Sequence, residues 1–317
     1  MGGVYTPGAA PPRTCYAILA MRILFITSNR IGDAVLSTGL LDHLIRTYPA
    51  SRITVACGTV AAGLFAHMPN LERLIPLEKR PRGLHWPPLW VATVTTRWDL
   101  VVDIRGSALA WLVPARRRAV MRRRMGHKTV QLGAILGLDP PPLPVVWTSA
   151  AEREKAARLV PPGPPVVALA PTANWDGKVW PAQRFVAFYH RLLAGPMPDA
   201  RAAVFAGPGE HERRLVEPVL AAVPDSIALC GRLTLSEAAA CLERCALFVG
   251  NDSGLMHIAA AAGTPTLGLF GPTSVEEYAP AGVHTAVAVA RSQSMMDLSV
   301  DDALAASETL IPVPEAA

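Results

Sequence analysis

Short runs of consecutive apolar residues, each followed by a stretch with helical spacing, recur along this chain and leave it few architectures. Residues 22–28 are mainly β-branched and aromatic, Asn29-Arg30-Ile31-Gly32-Asp33 breaks the run, and residues 34–48 then carry apolar side chains one helical turn apart. Residues 52–57 and 99–104 read as further strands in the same half. After residue 165 the alternation restarts, with strands expected at 166–170, 202–206, 247–250 and 266–270 and helices at 181–193, 210–221, 235–244 and 255–262. A strand that is apolar on both faces needs cover on both, which a parallel sheet with helical crossovers supplies. The expectation is an α/β protein of two doubly wound, Rossmann-like halves facing a cleft, with chemistry in the loops at the carboxyl ends of the strands.

The strongest break lies between Asp139-Pro-Pro-Pro-Leu-Pro and Pro161-Pro-Gly-Pro-Pro, which bracket a charged helical piece at 149–159. Proline-rich segments are semi-rigid spacers, so the hinge is placed here, dividing residues 21–148 from 149–317. The last helix is free to pack back on the first half. At 317 residues and 51% hydrophobic, the chain can form two cores. Met21, followed by Arg-Ile-Leu-Phe-Ile, looks like a natural start, which leaves residues 1–20 as a disordered extension or a misplaced start.

A formal charge of +5 and abundant arginine point to an anionic partner. No zinc-finger spacing, helix-turn-helix or aromatic-interleaved basic repeat accompanies the charge, which argues against nucleic acid. Cys15, Cys57, Cys230, Cys241 and Cys245 read as small apolar residues in a reducing compartment, with no metal site. The apolar run 17–27 is too short to span a bilayer and lacks the layout of a secretory signal, so a cytoplasmic protein is expected.

Four loops carry candidate chemistry. Asp33 follows the first strand, where it is either an ordinary helix cap or a general base that takes a proton from an attacking hydroxyl. In Pro171-Thr172-Ala-Asn174-Trp175-Asp176-Gly177-Lys178-Val-Trp180-Pro181, Lys178 is either a solvated surface charge or a cation for a diphosphate at a strand's carboxyl end. In Gly250-Asn-Asp252-Ser253-Gly254-Leu-Met-His257, a small-residue loop opens into an alanine-rich helix whose free N–H groups suit phosphate oxygens. Asp252 and Ser253 are alternatively caps of that helix, and His257 a packed core residue. Gly207-Pro-Gly209-Glu210-His-Glu212 offers a carboxylate either to ribose hydroxyls or to the helix dipole.

Taken together, Arg-Ile-Leu-Phe-Ile-Thr-Ser-Asn-Arg-Ile-Gly-Asp33, Lys178-Val-Trp-Pro, and Asn-Asp252-Ser-Gly-Leu-Met-His257 with Gly268-Leu-Phe-Gly-Pro-Thr273 resemble glycosyltransferase family 9, the ADP-heptose:lipopolysaccharide heptosyltransferases and their relatives. The resemblance runs in order from Met21 nearly to the end. It implies a GT-B fold and an inverting transfer that needs no metal or cofactor, with an ADP-sugar, ADP-heptose or a similar one, as co-substrate. It implies Asp33 as general base and Lys178 on the donor diphosphate. Thr172, Asn174, Asp252, Ser253, Gly254 and His257 are implied in the donor site, Glu212 (with Glu210 competing) on the ribose, and Leu233 beside the adenine. The loop 172–177 departs from the family pattern, which bears on the identity of the donor sugar. The acceptor implied is an anionic lipid-linked saccharide on the first half, where Arg116-Arg117-Arg118 and Arg122-Arg123-Arg124 offer charge. Trp86 and Trp90 suggest peripheral contact with the cytoplasmic face of the inner membrane. Two alternatives stand beside this reading: a relative that uses another nucleotide sugar for a surface polysaccharide, and a sugar-nucleotide binding protein without catalysis.

Overall fold

The computed structural model describes residues 20–122 and 124–311. The proposed extension, except Ala20, as well as Cys15 and Arg123, lie outside them. The first lobe contains β1 (Arg22–Ile26), α1 (Ile31–Thr47), β2 (Arg52–Gly58), β3 (Leu71–Leu77), α2 (Trp86–Thr93), β4 (Trp98–Asp103), α3 (Leu109–Leu112), β5 (Ala115–Val120) and α4 (Lys128–Gly133). Its five strands are all parallel in the order β3-β2-β1-β4-β5. The second lobe runs α5 (Ala150–Leu159), β6 (Val166–Ala170), α6 (Ala182–Leu193), β7 (Arg201–Val204), α7 (Glu210–Ala222), β8 (Ile227–Ala228), α8 (Leu235–Leu242), β9 (Leu247–Asn251), α9 (Gly254–Ala261), β10 (Thr266–Phe270), α10 (Val275–Tyr278), β11 (Thr285–Val289) and α11 (Val300–Ser307). Its six strands are also all parallel, in the order β11-β10-β9-β6-β7-β8.

The central strands β1, β6, β9 and β10 are buried almost throughout, as their unbroken apolar sequences demand. The outer strands differ. β3 and β5 expose several residues, and β5 is the arginine run itself. There Arg116 faces solvent and pairs with Asp99, whereas Arg118 donates to the carbonyls of Ala110, Val113 and Ala115. Arg118 therefore braces the α3–β5 turn and is removed from the set of arginines expected to meet an acceptor.

The proline-rich segment is strapped to the first lobe. Val145 N–H donates to Thr38 Oγ1 on α1 at 2.9 Å, and a Cβ on Gly39 would lie 2.6 Å from the Pro142 carbonyl oxygen. The following helix, α5, opens on a full capping box between Ser149 and Glu152 and packs on α8. The last helix does not return to the first lobe. Leu298, Ala303 and Leu310 lie in the second lobe's own core with Phe185 and fully buried Trp180, whose Nε1–H donates to the Leu298 carbonyl at 2.8 Å. Satisfying the indole N–H inside the core fixes this segment where it is.

The lobes touch directly. One continuous cluster of buried side chains runs from β1, β2 and α1 into β6, α8, α9 and β10. α1 meets α9, the turn at Thr59–Phe65 meets α8, and His67 Nε2 lies 3.0 Å from Glu152 Oε1. Cys57, Cys241 and Cys245 are buried, and burial pushes their thiols up to about 12, 11 and 12, so they behave as apolar packing. Among the described residues, no helix is long and apolar enough to cross a membrane.

Alanine is the better helix former, yet Gly39→Ala should destabilise the protein by about 1–3 kcal/mol, because its methyl must push the backbone at Pro142 and Leu143 off α1. Denaturant unfolding monitored by circular dichroism measures this; a stabilised variant would show that the strap is loose.

Candidate active site

The two sheets present their carboxyl-end loops to the contact between the lobes. On the first lobe, α1 begins at Ile31 with Arg30 at its N-cap and no side-chain cap. Asp33 is thus the third residue of the helix, not its cap. Ser28 Oγ donates to Asp33 Oδ2 at 3.3 Å, and Arg30 N–H donates to Ser28 Oγ at 3.1 Å, so the loop holds the carboxylate through a serine. An anion in the first turn is favoured by the helix dipole.

Across from it, α9 begins at Gly254. Ser253 stands at the N-cap but makes no capping bond, and its Oγ is buried without a partner. The expectation that Asp252 or Ser253 merely caps this helix fails: Asp252 instead accepts from Lys178 Nζ at 2.7 Å through Oδ2. Both partners are largely buried, and the pairing holds the ammonium against the start of α9 while leaving two of its N–H donors for another acceptor. His257 is 3% exposed, with Nε2 3.9 Å from Asp252 Oδ1 and Nδ1 unpaired. Burial holds its imidazole below the usual range, with Asp252 opposing and His127 and Lys178 reinforcing the shift, so the ring is neutral at neutral pH.

The remaining expected residues occupy neighbouring strand ends. Because the strands run β10-β9-β6-β7-β8, the segments that follow them, bearing Thr273, Asp252, Thr172 to Lys178, Glu212 in the first turn of α7, and Leu233, form one row along the sheet edge. Thr172 is buried and Asn174 exposed. Glu210 pairs with Arg213 on the surface, whereas Glu212 Oε2 is buried and unpaired, which separates the two carboxylates that sequence alone left in competition. Leu233 is half-buried in a loop fastened next to the one after β7 by Gly231 N–H donating to the Ala206 carbonyl at 3.0 Å. Thr273 Oγ1 is also buried without a partner. Buried polar atoms are nearly always satisfied, so four orphans along this edge (on Glu212, Ser253, His257 and Thr273) mark a surface shaped for a polar ligand.

The lobes approach closely enough to make one site. A Cβ on Gly32 would sit 2.9 Å from His257 Cδ2, and one on Gly254 would sit 2.7 Å from Ile31 Cγ2, so glycine at both helix starts permits the contact. Burial first, then the Asp33 and Glu277 carboxylates, push the Tyr278 phenol at the end of α10 up to about 12, which places Asp33 within electrostatic reach of the second lobe. Sequence reading passed over Tyr278 and His127. His127 caps α4 through Nδ1, and its Nε2 lies 2.9 Å from the Ala279 carbonyl, bridging the lobes. With Nδ1 accepting from Thr129 N–H, Nε2 carries the proton and donates. A lone histidine before a short helix gives no signal of a partner 152 residues away. Among the described residues, no group of three His, Cys, Asp or Glu side chains gathers as a metal cluster would.

The sequence model of glycosyltransferase family 9 (heptosyltransferase) matches residues 105–306, more than half of the chain. The chain belongs to glycosyltransferase family 9. This family-9 enzyme is 26% identical over 302 residues to lipooligosaccharide heptosyltransferase 2 of Haemophilus influenzae, covering 82% of this chain and 86% of that protein. It is 30% identical over 281 residues to lipopolysaccharide heptosyltransferase 3 of Escherichia coli, covering 76% and 81%. Its fold superposes on a family 9 glycosyltransferase from Veillonella parvula with a TM-score of 0.77 at 21% identity, covering 92% and 97% of the two chains. An E. coli heptosyltransferase solved with ADP gives a TM-score of 0.70 at 18% identity, covering 89% and 97%. The two-lobed arrangement is thus the GT-B fold of these enzymes.

The neutral, buried His257 makes stability depend on pH. The folded imidazole binds its proton less readily than the unfolded one, so its contribution to stability is present above the ordinary value of 6.5 and is lost as pH falls below it. Thermal melts from pH 7.5 down to 5 should show a steeper loss of stability in the wild type than in His257→Gln; parallel curves would show that His257 is not the group responsible.

Proposed function

We propose that this glycosyltransferase moves a heptose from ADP-heptose to an anionic, lipid-linked saccharide, with inversion at the anomeric carbon and without a metal. The observation that carries the proposal is the carboxylate of Asp33 on the first lobe standing opposite the uncapped start of α9, with Lys178 paired beside it. Kinship with heptosyltransferases and the ADP bound to the E. coli neighbour support the choice of donor.

The donor lies along the second lobe's row of strand ends. Leu233 borders the base, Glu212 accepts from the ribose hydroxyls, and the N–H groups at the start of α9 meet the diphosphate. The acceptor hydroxyl reaches the anomeric carbon from the first lobe. As its oxygen forms the new bond, its proton passes to Asp33, and the bond between that carbon and the diphosphate oxygen breaks with the electron pair leaving on ADP. Lys178 and the free N–H groups of α9 offset the charge that develops there, the task a metal performs elsewhere. Attack from the face opposite the leaving group inverts the carbon. Asp252 sets the position of Lys178, and neutral His257 lets the Asp252 carboxylate act on the lysine without a second cation beside it.

The acceptor's lipid places this chemistry at a bilayer. Trp90, Val91, Trp111 and Leu112 of α2 and α3 are exposed, and Arg82, Arg97, Arg116 and Arg117 of the same lobe are exposed as well. Aromatic side chains with a basic surround suit an anionic lipid surface, which supports peripheral contact with the cytoplasmic face of the inner membrane.

Asp33→Asn should retain the upward shift in melting temperature produced by ADP and lower transfer by roughly 100- to 10,000-fold. Stabilisation by UDP or GDP but not by ADP would overturn the donor assignment, and unchanged transfer in the variant would overturn the role of Asp33. In sedimentation with phosphatidylglycerol vesicles the protein should pellet, and it should pellet less with phosphatidylcholine alone or after Trp111→Ser; equal recovery in all three would place the membrane contact elsewhere.

A further inference from the structure

The loop after β6 carries two tryptophans with opposite surroundings. Trp180 is fully buried and anchors the loop's far end, its main-chain N–H donating to Asn251 Oδ1 at 3.0 Å. Trp175 is 55% exposed, although tryptophan is among the side chains most covered on average. The core therefore does not need it. Nor is the ring loose: a Cβ on Gly177 would lie 2.6, 2.8 and 2.9 Å from its Cζ2, Cη2 and Cε2, so the indole rests on the bare backbone of that glycine. Lys178 N–H donates to the Trp175 carbonyl at 3.0 Å and closes the turn beneath it.

Residues 174–177 form an exposed tip whose two sides are fixed to groups that the donor reading uses. Lys178 holds Asp252 at 2.7 Å beside the start of α9. On the other side, Asp176 Oδ1 stands 3.4 Å from Nε2 of His211, the residue before Glu212. The Glu212 carboxyl lies over Gly207 at the end of β7, where a Cβ would be 3.7 Å from Glu212 Cδ, and Oε2 is buried without a partner. β6 and β7 are neighbours, so Trp175 stands between the ammonium assigned to the diphosphate and the open carboxylate assigned to the ribose. Between those two polar parts a nucleoside diphosphate has only its 5′-methylene and the C–H face of the furanose. An indole face matches such a strip, and a ring already seated on Gly177 has little freedom left to lose on binding.

We infer that Trp175 is a donor-binding residue that covers the ribose and 5′-carbon of the nucleoside diphosphate. The inference rests on the transferase reading and deepens its donor site. Trp175 meets a part that all nucleotides share, so it adds hold on the nucleotide without choosing among bases. By covering the strip between Lys178 and Glu212 it also keeps water from the diphosphate on that side.

Isothermal titration calorimetry of the full chain tests this with ADP and with inorganic pyrophosphate, which has no ribose, on the wild type, Trp175→Ala and Trp175→Phe. Both substitutions fall on the exposed tip and should leave the melting temperature of the free protein unchanged. Trp175→Ala should weaken ADP by about tenfold or more and Trp175→Phe by less, while pyrophosphate should bind all three proteins alike. In the wild type, ADP should shield part of the tryptophan emission from acrylamide; in Trp175→Phe that shielding should be lost although ADP still binds. Wild-type affinity for ADP in Trp175→Ala, an equal loss for pyrophosphate, which marks a displaced Lys178, or shielding that persists in Trp175→Phe would overturn the inference. A wild type that takes UDP or GDP but not ADP defeats the donor assignment alone, and the same comparison made with that nucleotide decides Trp175. A wild type that binds none of the three defeats both.

Discussion

The close approach of two helix starts governs the rest of this structure. Gly32 on α1 lies under the His257 ring, and Gly254 on α9 lies under Ile31, so each helix start leaves room for a side chain of the other. This interlock brings an anion-favouring helix end from each lobe to the same place. One of those ends already holds a carboxylate, on Asp33, while the other is uncapped and has the Lys178–Asp252 pair beside it. A base on one side and an anion cradle on the other is the minimum that displacement of a diphosphate by a hydroxyl requires.

Burial then sorts the ionisable groups into roles. Lys178 is fixed in place by its ion pair with Asp252, and His257 stays neutral because desolvation outweighs the same carboxylate. Had the histidine been charged, the site would hold two cations on one aspartate, and the lysine would be held less firmly. The unpaired atoms on Glu212, Ser253, His257 and Thr273 are buried polar groups whose hydrogen bonds the protein leaves open along one edge.

Much of this was legible in the residues. The central strands announced themselves because a strand covered on both faces must be apolar throughout, and the expected site residues do lie after the strands, along the edge of the second sheet and at the start of α1. The outer strands were not legible. β3 and β5 are exposed on one side or more, and in β5 the sequence Ala-Arg-Arg-Arg-Ala-Val looks like a charged patch until Arg118 is seen bonding three carbonyls. Local pattern does not choose between neighbours: Glu210 and Glu212 look alike in sequence, and only the surface pairing of the first and the burial of the second set them apart.

The return of α11 to its own lobe has a mechanical consequence. With Trp180 and Arg184 both fastened to the Leu298 carbonyl, the polypeptide passes between the lobes once among the described residues, just after the strap on α1. A single tether does not dictate a swing axis in the way a double crossing does. The relative orientation of the lobes is thus stored in side chains, in the His127 to Ala279 and His67 to Glu152 bridges and the glycine-lined helix contact. How widely the jaws part is set by how cheaply those few bonds are exchanged for water.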